Sequence, residues 1–530
     1  MRETIETWAE RFRPLEVAAN RAWWDAATTG SEEDYGRVEE TRNEIDALFR
    51  DPDAFDRFEA IREASDEKLE ARTAQLLWLE ALPRQVDEDL SRRINRLSTE
   101  IERIFATHRP EFEGEERSTN DLEDLLGEET DSDRLEAAWK ALKAVGPEVA
   151  EPLLELVELR NRAARQVGYP DYHKLKLALY EQTPESVESF FDRHAELTAG
   201  AFADEKAAIE RRLADRLELE PGELRPWHYQ NSFFQQAPDV YGADLDGVYE
   251  DVDLLSVARD YFDRIGLPVE AILERSSLHE APGKDPHAFA IDVDREGDVR
   301  ILLNLRPNER WMGTTLHELG HAVYDVGVDP GLPWMLRRPA HTVTTEAIAM
   351  LFGRLSKRRA WMRTMGIVDG AAAEEIGDPA ARELRANMLV FSRWAQVMTR
   401  FERGLYEDPE RDLQAFWWDL VERYQRVTPP ERPDGAADWA AKIHVVVAPV
   451  YYHNYLMGEC FASQIELRMR DELESGDPLA EADPRAGEWL EERIFRPGAR
   501  AHYQDLAREA TGSPVRPDAW AEQFVEPVES

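Results

Sequence analysis

Residues 314–324 read Thr314-Thr315-Leu316-His317-Glu318-Leu319-Gly320-His321-Ala322-Val323-Tyr324, and this stretch decides how the chain is read. It contains His-Glu-x-x-His. On a helix, positions four apart stack on one face, so His317 and His321 can grip one metal ion while Glu318 projects beside them. A hydrolytic zinc site wants three protein ligands and one open position. The single cysteine, Cys460, is no obvious third ligand. Glu346 is a better one. It stands 29 residues after His317, within His341-Thr342-Val343-Thr344-Thr345-Glu346-Ala347-Ile348-Ala349-Met350. That distance suits a second helix returning to pack on the first. The plain alternative for Glu346 is a first-turn glutamate favoured by the helix dipole.

Upstream of the motif lies the clearest β signal. His287-Ala288-Phe289-Ala290-Ile291-Asp292-Val293-Asp294 and Val299-Arg300-Ile301-Leu302-Leu303-Asn304-Leu305 flank Arg295-Glu296-Gly297-Asp298. This predicts a hairpin with a four-residue turn. A hairpin beside the metal helix offers a free edge on which a peptide can add as a strand. Most of the remaining chain has helical periodicity, clearest at residues 3–27, 32–49, 87–105, 393–406 and 414–426. Residues 108–120 break that pattern with Pro and Gly and read as a loop. The aromatic, amide-rich stretch 221–242 reads either as a packed connection or as a cleft wall formed by His228, Tyr229 and Gln230. The expected fold is therefore mainly α, with a small hairpin beside the zinc helix.

Asp and Glu total 108 against 65 Lys plus Arg, only 9 of them lysines, giving a net charge of −43. Such a charge repels phosphate and argues against a nucleic-acid partner. The acids are spread along the chain rather than gathered in a tail, and lysine is scarce. That pattern suits a halophilic protein, because concentrated salt screens self-repulsion. No apolar run is long enough to cross a membrane, and the first residues read as an amphipathic helix rather than a signal peptide. One cysteine excludes an intramolecular disulfide. The expectation is a soluble, cytoplasmic protein without a membrane partner.

The segment 287–351 resembles the angiotensin-converting-enzyme family of zinc dipeptidyl carboxypeptidases. His287-Ala288-Phe289-Ala290 is similar to that family's substrate-pairing strand, His317-Glu318-Leu319-Gly320-His321 to its zinc motif, and Leu336-Arg337-Arg338 with Glu346-Ala347-Ile348 to the run that leads into its ligand glutamate. Lys442-Ile443-His444 is similar to a pair that reaches the substrate's C-terminal end. Weaker similarity extends over about 120–470. The resemblance implies a two-lobed helical metallopeptidase with a deep central cleft, acting on peptide substrates with one zinc ion. It implies that His317, His321 and Glu346 bind zinc and that Glu318 is the general base and acid. His287 and His444 would hold the carbonyl beyond the scissile bond, and Ala288 and Ala290 would pair with the substrate backbone. Lys442 would receive the terminal carboxylate, with Gln230 and Tyr451 as companions.

This sequence also departs from the family. The oxyanion tyrosine has two candidates, Tyr452 and Tyr455. No counterpart of the chloride-linked arginine stands in 449–464, and Met350 occupies the place of an aspartate that orients a zinc histidine. The run Tyr451-Tyr452-His453-Asn454-Tyr455-Leu456-Met457-Gly458 is closer to Taq-type carboxypeptidases and oligoendopeptidases. The domain expectation is one peptidase unit over 1–530. Within it lie an N-terminal helical lid at 1–110 and a catalytic region at 121–525, with the zinc core at 287–351 and the substrate-binding segment at 442–464. Dipeptide release from a free C-terminus is the first functional expectation. An oligoendopeptidase or single-residue carboxypeptidase is the second, and a zinc-containing helical interaction protein without turnover is the third. The intact Glu318 weighs against the last, since a structural zinc site needs no such carboxylate.

Overall fold

The structure, a computed structural model, describes residues 2–526. It is mainly α, with only two two-stranded antiparallel sheets among the described residues. The chain divides into two compact units. The first gathers residues 2–85, 244–381 and 457–520, and the second 86–243, 382–456 and 521–526. The stretch expected as a lid, 1–110, is thus split at residue 85. Its last helix, Glu88–Thr107, packs through Leu90 on Leu159 and Ala163 of the second unit.

In the first unit the motif helix is Glu309–Gly327. Asn308 starts it by accepting the Trp311 N–H at 2.9 Å, the usual work of an N-cap amide. Met312, Leu316, Leu319 and Val323 form its buried stripe. That stripe, spaced at three and four residues, removes apolar surface from water at about 1.5–3 kcal/mol per large side chain. The helix Thr342–Gly353 returns against it, as the 29-residue spacing predicts. Gly320 makes this close approach possible: a Cβ there would lie 2.9 Å from the Ala349 Cα and 3.1 Å from the Ile348 carbonyl oxygen.

The expected hairpin is present but shorter. Its strands are Phe289–Asp292 and Val299–Leu302, paired from Phe289 opposite Leu302 to Asp292 opposite Val299. The connection is six residues rather than four because aspartates divert the backbone. Asp292 accepts the Arg295 N–H at 2.8 Å and Asp294 accepts the Glu296 N–H at 2.8 Å, with Arg295 and Gly297 both at positive φ. Phe289 and Ile291 pack on Trp24 and Ala27 of the N-terminal helix Arg2–Thr29, so Ala290 faces the other way. A second hairpin, Glu111–Phe112 with Glu115–Glu116, lies inside the stretch read as a loop. Glu113 and Gly114 at positive φ close it, and two residues per strand leave no alternation for a sequence pattern to show.

The second unit is built on long helices, Val145–Gln166, Pro184–Leu217 and residues 382–407 of the helix Gly370–Glu407 among them. Within the stretch 221–242, His228 and Tyr229 are packed rather than lining a cleft. His228 is buried and bonded to Ser132 and to the Arg225 N–H, both at 2.8 Å, and Tyr229 donates to Glu210.

Candidate active site

The motif helix carries His317 and His321 on one face, their ring centroids 4.9 Å apart. Glu346, in the second turn of the returning helix, brings a carboxylate to the same place. One ligand atom from each of the three lies within 4.8 Å of the others, and His317 Nε2 is 3.9 Å from Glu346 Oε2. Two imidazole nitrogens and one carboxylate oxygen fit zinc with a position left open for chemistry. Burial pushes the His317 imidazole down to about 4, and burial with its neighbour His317 drives His321 well below the ordinary range. Both rings are therefore neutral near pH 7, the form in which imidazole ligates. Gly458, on the helix Tyr452–Leu473, lets that helix pass close behind Glu346, since a Cβ there would sit 2.9 Å from the Glu346 Cβ.

Thr345 stands one residue before Glu346, and its hydroxyl lies 2.6 Å from His321 Nδ1. No local sequence pattern singles it out, because the contact exists only once the two helices meet.

Glu318 is buried, and its carboxyl is pushed up to about 8 by burial first and the Glu346 charge second, while the Ala290 N–H bonded to it opposes the shift. A carboxyl raised toward neutral pH beside a candidate cation site has the setting of an acid–base group. Ala290 lies in the first strand, whose other edge pairs with no strand among the described residues. Ala288 precedes that strand, and His287 sits in an exposed bend with its ring and N–H held by Asp285. The strand therefore begins two residues later than the sequence suggested, with His287 and Ala288 leading into it.

In the second unit Lys442 is buried and donates to Gln235 Oε1 at 2.7 Å. Burial lowers its ammonium to about 8 against the opposing charge of Glu123. The expected companion, Gln230, is engaged elsewhere. Its amide donates to the Gly127 carbonyl at 2.9 Å and accepts the Asp239 N–H at 2.8 Å. The glutamine that meets Lys442 in the structure is Gln235, five residues on. His444 opens the short helix His444–Val447, with its ring 5.2 Å from that of Tyr452. Tyr452 is buried against Trp394, and burial pushes its hydroxyl up to about 12. Tyr451 and Tyr455 are only half-buried, with rings 4.9 Å apart.

Two buried polar side chains hold this segment. Arg160 donates to the Val445 and Val446 carbonyls at 3.0 and 2.7 Å, and Glu402 accepts the Val450 N–H at 2.8 Å. Val450 has φ +56°, a strained conformation for a β-branched residue that persists only when its surroundings impose it.

The pattern of the family described as angiotensin-converting enzyme matches residues 1–197 and 235–528. The chain belongs to that family. The chain is 23% identical over 468 residues to the angiotensin-converting enzyme of Bos taurus, covering 81% of this chain and 36% of that protein. The homologue of the same name from Theromyzon tessulatum is 23% identical over 394 residues, 68% of this chain and 63% of that one. Carboxypeptidase 1 of Bacillus subtilis (strain 168) is 24% identical over 254 residues, covering 43% of this chain and 49% of that enzyme. The chain thus spans well under two thirds of the Bos taurus protein's length. No helix among the described residues is long and apolar enough to cross a membrane.

Proposed function

We propose that the protein is a zinc-dependent metallopeptidase that releases dipeptides from the free C-terminus of short peptides. The convergence of His317, His321 and Glu346 within 4.8 Å, with the raised carboxyl of Glu318 beside them, carries this reading. The bound ion would supply Lewis-acid polarisation of the scissile carbonyl and of the attacking water. Glu318 takes the proton that attack releases and returns it to the leaving amine. The open edge of the first strand, at Ala290 with Ala288 before it, is where the substrate backbone pairs. The N-terminal helix, through Trp24 and Ala27, backs that strand and is the element we assign as cover.

Lys442 receives the terminal carboxylate, with Gln235 orienting its ammonium, and His287 and His444 hold the carbonyl beyond the scissile bond. Tyr455, half-buried, is favoured over the buried Tyr452 as the oxyanion donor. The match to a bacterial carboxypeptidase favours single-residue release as the second reading. Incubating N-blocked and C-amidated versions of one peptide with the zinc-loaded protein in concentrated salt decides between them. Dipeptides from the free-acid peptide alone support the first reading. Single amino acids support the second, and internal fragments from the amidated peptide overturn both.

A further inference from the structure

Away from the zinc ligands, the second unit holds a cavity of about 270 Å³ bounded by the helices Pro184–Leu217, Gly370–Glu407 and Leu413–Gln425. Arg393, Arg423, Arg426, Asp192, Phe202 and Tyr424 line it. Arg393 is only 4% exposed. Its guanidinium donates to the Thr198 hydroxyl at 2.5 Å and lies 4.9 Å from the Phe202 ring centroid, while its Nε has no hydrogen-bond partner. Among the described residues no carboxylate pairs with Arg393, Arg423 or Arg426. The one acid in the lining, Asp192, pairs with Arg400 at 2.6 Å.

A buried guanidinium without a counter-charge is costly, because it keeps its proton and loses its hydration. Burial, followed by the nearby Arg426 charge, lowers Arg393 to about 10. This chain has 43 more negative than positive side-chain charges, so carboxylates to neutralise the cluster are plentiful in it. Three unpaired arginines around one cavity in so acidic a protein leave a place for a negative charge brought from outside. The volume is several times the roughly 30 Å³ that one water occupies in the liquid, so the cavity accommodates a polyatomic anion. Guanidinium forks match carboxylate and phosphate oxygens, and the Phe202 and Tyr424 walls suit a small carbon skeleton.

We propose that this cavity is a binding site for a small multivalent oxyanion, held by Arg393, Arg423 and Arg426 and separate from the peptidase chemistry. The test is calorimetric titration of the zinc-loaded full-length protein with succinate and, separately, inorganic phosphate, at a sodium chloride concentration that maintains the fold. Saturable one-to-one binding of either probe is expected, the stronger arm telling dicarboxylate from phosphate. Affinity should fall about tenfold or more in Arg393→Met and in the exposed double variant Arg423→Ser/Arg426→Ser, and stay unchanged in Lys442→Met. The double variant keeps the test valid if Arg393→Met fails to fold. No saturable binding of either probe overturns the proposal, as does binding that is lost in Lys442→Met but kept in the double variant.

Discussion

The Thr345 hydroxyl lies 2.6 Å from His321 Nδ1, while Met350 stands where the resemblance implies an orienting aspartate. A hydroxyl can hold the ring by donating to Nδ1 or accepting from it, without adding a second negative charge next to Glu346. Thr345→Val should weaken zinc binding by about 10- to 100-fold, with Thr345→Ser close to the parent. Competition with a zinc-sensitive chelator measures this. Equal affinity in all three proteins would remove Thr345 from the site.

Glu318 has a separable role, since it is not among the three convergent ligands. Glu318→Gln keeps the shape and an acceptor for the Ala290 N–H but cannot carry a proton. Zinc content should persist while kcat falls by about 10²-fold or more. Turnover near that of the parent would end the general-base assignment.

Lys442 gives a pH signature. Its ammonium, lowered to about 8, is charged below that pH and neutral above it. KM for free-acid peptides should therefore rise as pH passes upward through about 8, with no such limb for C-amidated peptides. Gln235→Leu removes the acceptor at 2.7 Å and should raise KM for free-acid peptides while leaving kcat nearly unchanged. A pH profile identical for the two peptide types would separate Lys442 from carboxylate recognition.

The convergence of His317 and His321 was legible because a rigid helix converts a four-residue spacing into geometry, and that of Glu346 because two packed helices need a return of about that length. Gln235 was not legible in place of Gln230. Which amide faces Lys442 depends on the irregular backbone of 230–235, where Gln230 and Phe234 both adopt positive φ. The trimmed hairpin has a similar cause, since Asp292 accepts the Asp294 N–H that strand periodicity would assign to the ladder. Thr345 was missed for a different reason. Its role exists only once the two helices meet, and no local pattern records that.

The net charge of −43 sets a condition on every measurement above. Self-repulsion screened within about 3 Å at 1 M salt reaches about 30 Å at 0.01 M. Circular dichroism during dialysis should show helix lost at low salt and regained on returning salt. Full helicity at low salt would refute a halophilic adaptation.

Glu402 links the strained turn at Val450 to pH. Its carboxyl is buried and pushed up to about 8 by burial, with the Val450 N–H and then Arg160 acting in the opposite direction. In the unfolded chain the same group ionises near its ordinary value of about 4.3. The folded state therefore binds the extra proton between those two values, so this group's contribution to stability is full below about pH 4 and is lost as pH rises through about 8. Glu402→Gln keeps an oxygen for the Val450 N–H and cannot ionise. In denaturant titrations at fixed high salt, the parent should lose on the order of a few kcal/mol relative to Glu402→Gln between pH 5 and pH 8.5. Glu402→Leu, which leaves the Val450 N–H unpaired, should be destabilised across the whole range. If the parent and Glu402→Gln follow the same slope with pH, Glu402 is ionised in the folded protein and the strained turn is held by a charge rather than by a neutral acid.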